Sequence, residues 1–316
     1  MVILDILIII ISLTLLAFIS ERTVRYASML SELFGLSQMA IGFILLSVST
    51  SLPELTVSIM ASVRAEGGLA FGNVLGSNIA NLTIIIALTI LISKISILIK
   101  EENQKELVQF LFIASIIPLF VIQRGSLSPV LGIILLILFV YFSFNMSKKK
   151  APEVKSLSSV KSTQKITVLT KFSISVFLII IISTFTVGSS INIANFLGVP
   201  PSIIGATIVG LGTSLPELVT SIQALRKNMA EMALGNILGS CIINITLILG
   251  ASSVFNFYLV NITAASGIMF FTLLSTTFIW YVINTRKVIN KTIAYILLLI
   301  YIFFVLQELG FSIFIF

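Results

Sequence analysis

Histidine is absent from the sequence. Its absence removes His-ligated metal centres, haem ligation by imidazole and His-based acid–base catalysis together. Cys241 is the sole cysteine, so no intrachain disulfide can form and cysteine usage carries no information about redox compartment. Charge is scarce as well. Only 10% of residues are charged, against about 25% in a soluble domain. In their place 58% of the residues are hydrophobic and the mean hydropathy is +1.17. This is the composition of a membrane protein, and the apolar runs leave no room for a sizeable soluble domain. The net charge of +7 is not a nucleic-acid signal, because the basic residues lie between apolar runs, where they set membrane orientation.

A span needs about 20 apolar residues. Candidate spans are 3–27, 37–63, 69–93, 104–123 and 128–146, then 168–195, 200–225, 231–256, 262–285 and 291–312. The first carries Asp5 where a signal peptide carries positive charge, and it lacks a clear small-residue cleavage site. It is therefore expected to stay as a transmembrane helix. The expectation is an all-α membrane protein of about 10 transmembrane helices arranged as two inverted five-helix repeats, 1–146 and 168–316. Between them lies 147–167, a mobile Lys/Ser-rich linker with six lysines against Glu153. Such a linker is expected in the cytoplasm, which puts both termini outside. On that topology 17 of the 19 Lys and Arg fall inside, and only Arg64 and Arg124 fall outside.

The repeat is the strongest organising signal. Ile41–Ala87 aligns with Ile204–Gly250 at a constant offset of 163, without gaps, with 21 of 47 positions identical. Composition alone could match Leu with Ile, but not Thr, Ser, Pro, Glu, Asn and Gly in register. Copies separated by an odd number of spans enter the membrane in opposite directions, as in the inverted repeats of secondary transporters.

Of the 12 acids only Glu54 and Glu217 fall in the middle of a candidate span. A carboxylate there costs several kcal/mol unless paired or facing a polar cavity, and no Lys or Arg sits at matching depth. Protons or metal cations remain as partners. Each Glu follows a proline, Pro53 or Pro216, which removes a backbone hydrogen bond and frees a carbonyl one turn earlier. These helix breaks at membrane depth survive only where they line a cavity or lie buried in protein. The accompanying runs are Gly72-Asn73-Val74-Leu75-Gly76-Ser77 and Gly235-Asn236-Ile237-Leu238-Gly239-Ser240. Asn81 and Asn244 follow one turn later on the same face. The glycines are expected to let helices approach closely. All these donors are hard oxygens, which suit calcium and by the same logic sodium. Transition metals are disfavoured, and Cys241 is expected to be a packing residue. Rival readings are a proton/calcium antiporter, a cation channel and an intramembrane enzyme using Glu54 as general base.

The motifs resemble the two alpha-repeats of the cation/calcium antiporter superfamily, in particular its sodium/calcium exchanger branch. Gly212–Glu217 and Ser49–Glu54 are similar to its G-T-S-L-P-E motif, and Gly72–Ser77 and Gly235–Ser240 to its G-N-x-x-G-S motif. The resemblance implies exchange of calcium for sodium by alternating access, with no enzyme activity and no cofactor beyond the transported ions. It implies a central calcium site at Glu54 and Glu217 with the carbonyls of Thr50 and Thr213. Sodium sites would add Ser77 and Ser214 on one side, and Ser51 and Ser240 on the other. Ser47 and Gly210 would supply further carbonyls, with Asn81 and Asn244 flanking the middle. The first and sixth helices would slide across this core. Two departures stand out: Ser49 replaces the motif's first glycine, and Asn244 stands where many exchangers carry Asp. Two carboxylates balance one calcium, and three sodium ions would leave one surplus positive charge. Stoichiometry and proton coupling stay open. The implied surroundings are a prokaryotic plasma membrane, with the lipid bilayer, calcium and sodium as partners. No nucleic acid or protein partner is expected.

Overall fold

The computed structural model describes residues 2–63, 67–99, 102–124, 126–148, 162–196, 210–255, 258–259 and 262–310. Arg64 and most of the 147–167 linker lie outside them. Among the described residues the helices group into ten rods, five before Lys148 and five after. The first five are α1 (Val2–Phe34), α2 (Gln38–Thr50 and Leu52–Val63), α3 (Gly67–Ala80 continuing through Asn81–Ile85 to Ile86–Ser93), α4 (Glu102–Arg124) and α5 (Pro129–Ser147). The second five are α6 (Ser162–Phe196), α7 (Gly210–Thr213 and Leu215–Arg226), α8 (Ala230–Ile243 continuing through Asn244–Ile248 to Leu249–Phe255), α9 (Ile262–Thr285) and α10 (Lys291–Glu308). Among the described residues seven of these are long and apolar enough to cross a bilayer alone, and the two parts of α2, bent by 44°, together make an eighth segment of sufficient length and apolarity. The α4 rod has polar ends and Pro118 within it, and the described part of α7 is short. The protein is an all-helical membrane protein, as its composition requires.

Short polar residues start several rods. Ser37 Oγ accepts from the Ala40 amide at 3.1 Å and Asn290 Oδ1 from the Ile293 amide at 3.1 Å, satisfying N–H groups that the first turn leaves open. Two rods run longer than their apolar stretches. The α1 helix continues to Phe34, and α6 begins at Ser162 instead of near 168. The reason is mutual packing. The two helices lie along one another, Val168 and Phe172 are buried, and Lys165 Nζ sits 5.9 Å from the Phe34 ring centroid. Helical pairing therefore outlasts the hydrocarbon.

The centre consists of α2, α3, α7 and α8 in mutual contact. Around it the halves interlock: α4 and α5 pack on α8, whereas α9 and α10 pack on α3. Two short antiparallel ladders tie the ends. Ile97–Leu98 (β1) pairs with Val288–Ile289 (β4), and Ser126–Leu127 (β2) pairs with Tyr258–Leu259 (β3). Each ladder joins one half to the other, and because α4 runs from β1 to β2 they lie at opposite ends. The α1–α6 pair forms a separate layer against α7 and α2. Its outward side chains, among them Leu4, Ile11, Phe18, Ile174 and Phe177, are exposed. That much open apolar surface belongs in lipid.

Candidate cation site

Each copy of the repeat breaks its helix at the serine. Ser51 has φ −85°, ψ 9° and Ser214 has φ −84°, ψ 7°, a bridge-region conformation that is sparsely populated. A new helix starts at Leu52 or Leu215, so Glu54 and Glu217 fall in a first helical turn. The positive end of the helix dipole favours a carboxylate there. A serine at this position ordinarily caps its own helix. Ser214 makes no such bond; its hydroxyl donates to Glu54 Oε1 of the other repeat at 3.2 Å. Ser51 donates to Glu217 Oε1 at 3.0 Å in the mirror arrangement. The two breaks thus meet at the centre, each serine serving the opposite glutamate.

All twelve sequence-predicted site residues are buried. Ser240 Oγ donates to Glu217 Oε1 at 3.0 Å and lies 2.6 Å from Ser51 Oγ. Asn81 Nδ2 reaches Ser240 Oγ at 3.4 Å. On the other side Ser77 Oγ donates to the Gly210 carbonyl at 3.4 Å, and Thr213 Oγ1 to the same carbonyl at 3.2 Å. Ser47 donates its hydroxyl to the Phe43 carbonyl, and Thr50 Oγ1 donates to the Leu46 carbonyl at 3.0 Å. Asn244 departs from its counterpart: Nδ2 donates to Asn78 Oδ1 at 2.9 Å instead of to a serine.

The helices carrying the asparagines are locally rewound. Asn81–Ile85 and Asn244–Ile248 are π-helical turns, related by the offset of the repeat. In each, a threonine hydroxyl takes the carbonyl four residues back, Thr83 that of Ile79 and Thr246 that of Ile242. The hydroxyl competes for the acceptor that the α-helical amide would use, although the same bond at Thr184 and Thr272 leaves an ordinary α-helix. Widened turns of this kind are frequent at functional sites.

Asn73 and Asn236 were visible in the motifs but carry a role the motifs did not disclose. Asn73 Nδ2 donates to the Glu54 carbonyl at 3.2 Å and to Ser58 Oγ at 2.9 Å. Asn236 Nδ2 donates to the Glu217 carbonyl at 3.3 Å and to Ser221 Oγ at 2.9 Å. Each asparagine braces the backbone of the glutamate in its own repeat. Their identical position in both runs was the available signal.

The expected close approach of the glycines holds at Gly235 and Gly239 and fails at Gly72. A Cβ on Gly235 would come 2.6 Å from the Met39 carbonyl oxygen, and one on Gly42 would come 2.5 Å from that of Met232. At Gly72 a Cβ would meet no atom within 4 Å, so in the first repeat that glycine does not mediate tight packing. Cys241 is buried, its carbonyl accepting from Asn78 Nδ2 at 3.1 Å.

Among the twelve site residues, four buried side-chain oxygens have no hydrogen-bond partner: Glu54 Oε2, Glu217 Oε2, Asn81 Oδ1 and Asn244 Oδ1. They form two repeat-related pairs of hard acceptors. A buried acceptor left unpaired costs about 1–3 kcal/mol, more when charged. A cation held at the glutamates would satisfy Glu54 Oε2 and Glu217 Oε2. Among the described residues no three acids, cysteines or histidines cluster, so amide, hydroxyl and carbonyl oxygens must complete any coordination shell. That donor set fits hard cations.

The family model described as "Sodium/calcium exchanger protein" matches residues 4–148 and 168–309. The chain belongs to this family of membrane cation antiporters, which are transporters and not enzymes. The two matched segments coincide with the two helical halves. Among its relatives, the inner membrane protein YrbG of Escherichia coli is 30% identical over 251 residues, covering 76% of this chain and 77% of that one. The sodium/calcium exchanger MaX1 of Methanosarcina acetivorans is 30% identical over 299 residues, covering 81% and 84%. The solved structure of the sodium-calcium exchanger NCX_Mj, soaked with sodium and no calcium, superimposes with a TM-score of 0.80 at 26% identity, covering 96% of this chain and 98% of that one. The same exchanger has been soaked with sodium and strontium together, again at a TM-score of 0.80.

Proposed function

We propose that the protein exchanges calcium for sodium across a prokaryotic plasma membrane. The observation that carries this reading is the pair of unpaired carboxylate oxygens, Glu54 Oε2 and Glu217 Oε2, with Asn81 Oδ1 and Asn244 Oδ1 also unpaired. Two carboxylates neutralise one calcium ion. The hydroxyls of Ser51, Ser77, Ser214 and Ser240 and the carbonyls of Ser47, Thr50, Gly210 and Thr213 supply further oxygens for calcium or for sodium. Competition for the same two carboxylates couples the fluxes, because the site cannot hold both loads at once. The relatives MaX1 and NCX_Mj, both called sodium/calcium exchangers, support the choice of ions. No cofactor is needed. In this reading the linker is cytoplasmic and both termini are outside, which places 17 of the 19 Lys and Arg on the inner side as the positive-inside rule requires. The α1–α6 layer moves over the central four helices to open the site to either side.

Proton/calcium exchange is the second reading. It is favoured by the presence of two carboxylates and no third acid in the site, since two protons neutralise the pair as completely as one calcium does. Radiolabelled calcium uptake into proteoliposomes distinguishes the two. We expect uptake driven by an opposing sodium gradient, and none from a pH gradient alone. Glu54→Gln and Glu217→Gln are each expected to abolish it, and uptake surviving either change would end the assignment.

A further inference from the structure

The cavity of about 170 Å³ between α1 and α6 has a chemistry that cation exchange does not use. Arg22 and Lys171 line it together with Tyr26 and Ser175, and no acidic side chain does. The neighbouring acid is directed elsewhere: Glu21 lies 3.6 Å from Arg25 Nη2 and 3.7 Å from Lys227 Nζ. The Arg22 guanidinium is held over the Phe18 ring at 4.4 Å. Arg22 and Lys171 are both exposed.

The depth is that of a headgroup. In α1 the apolar run ends at Ser20, and charge begins at Glu21. The 35 residues of α6 make a rod of about 52 Å, against about 30 Å of hydrocarbon. Part of it must project, and Lys171 lies in its charged first third. Ile174 and Leu178 also line the cavity, one and two turns deeper, and are exposed. A cationic cradle therefore opens directly onto an apolar strip.

We propose that this cavity binds the phosphate of an anionic phospholipid, with an acyl chain along Ile174 and Leu178. A zwitterionic lipid brings its own cation and gains less from the two basic groups. Free phosphate has nothing to lay on the apolar strip. Basic pockets between helices are a recurrent means of holding lipid headgroups. Bound here, the lipid bridges α1 and α6 and fastens the pair into one unit.

The test is native mass spectrometry of the detergent-purified full chain, titrated with phosphatidylglycerol or phosphatidylcholine. Phosphatidylglycerol is expected to be retained preferentially. A basic group near a membrane surface contributes about fivefold, so Arg22→Ala with Lys171→Ala should lower retention about thirtyfold. Arg22→Lys with Lys171→Arg should keep it, as should Lys105→Ala, which removes an exposed lysine on α4. Millimolar inorganic phosphate should not displace the lipid. Equal retention of the two lipids, an unchanged double alanine variant, or full displacement by inorganic phosphate would each overturn the proposal.

Discussion

Ser51 and Ser214 show what the repeat does at the scale of single residues. Each reaches the glutamate of the other half, at 3.0 Å and 3.2 Å, and Ser214 leaves its own helix uncapped. The motifs made the residue types legible but not this crossing, since a serine before a helix ordinarily serves that helix. Symmetry is broken nearby for a readable cause. Asn78 corresponds to Cys241, so only Asn244 finds an amide oxygen opposite, at 2.9 Å, and Asn81 turns to Ser240. The bracing asparagines differ too. Asn236 Oδ1 accepts from Thr50 Oγ1 at 3.3 Å, whereas Asn73 Oδ1 has no partner. Asn236→Ala is therefore expected to destabilise the protein by about 1–3 kcal/mol, and Asn73→Ala by less. Thermal unfolding in detergent in the absence of transported ions compares them. Ser51→Ala is expected to weaken cation binding several-fold, by removing one donor oxygen and freeing Glu217, and isothermal titration would measure it.

Among the elements, the broken helices and the rewound ones do different work. The breaks at Ser51 and Ser214 bring the carboxylates to the centre, and the π turns begin at Asn81 and Asn244. Proline announced the breaks in the sequence. Nothing so plain announced the π turns, because threonine also occurs in ordinary helices. Glycine was ambiguous for a related reason: it permits close approach without compelling it, and the neighbour decides. Gly42→Ala is expected to cost about 1–3 kcal/mol by overpacking, since the atom it would strike is backbone. Gly72→Ala should be close to neutral. Matched melting curves would show it, and equal losses at the two positions would refute this account of the packing.

In the whole molecule the halves are interlocked, because each sends its α4–α5 or α9–α10 pair onto the central helix of the other. The α1–α6 layer is joined within itself, for instance by Asn192 Nδ2 donating to Asp5 Oδ1 at 3.1 Å. It is tied to the core at the other end by Lys227 Nζ donating to the Glu21 carbonyl at 2.8 Å. If this layer moves as one piece, a bifunctional cross-link between cysteines replacing Asp5 and Asn192 should leave exchange running. One between cysteines replacing Glu21 and Lys227 should stop it. Calcium uptake before and after reduction of a cleavable linker reads both, and the buried Cys241 stays out of reach of the reagent.

The sequence by itself determined the membrane setting, the duplication and the chemistry of the donors. Lipid enforces long apolar runs and makes every mid-span acid conspicuous, so these properties are written locally. Tertiary structure decided which hydroxyl meets which carboxylate, which glycine is pressed against backbone and how far α1 and α6 extend together. Those outcomes depend on atoms far apart in the chain, and only packing brings them within the few ångströms at which hydrogen bonds and steric contact act.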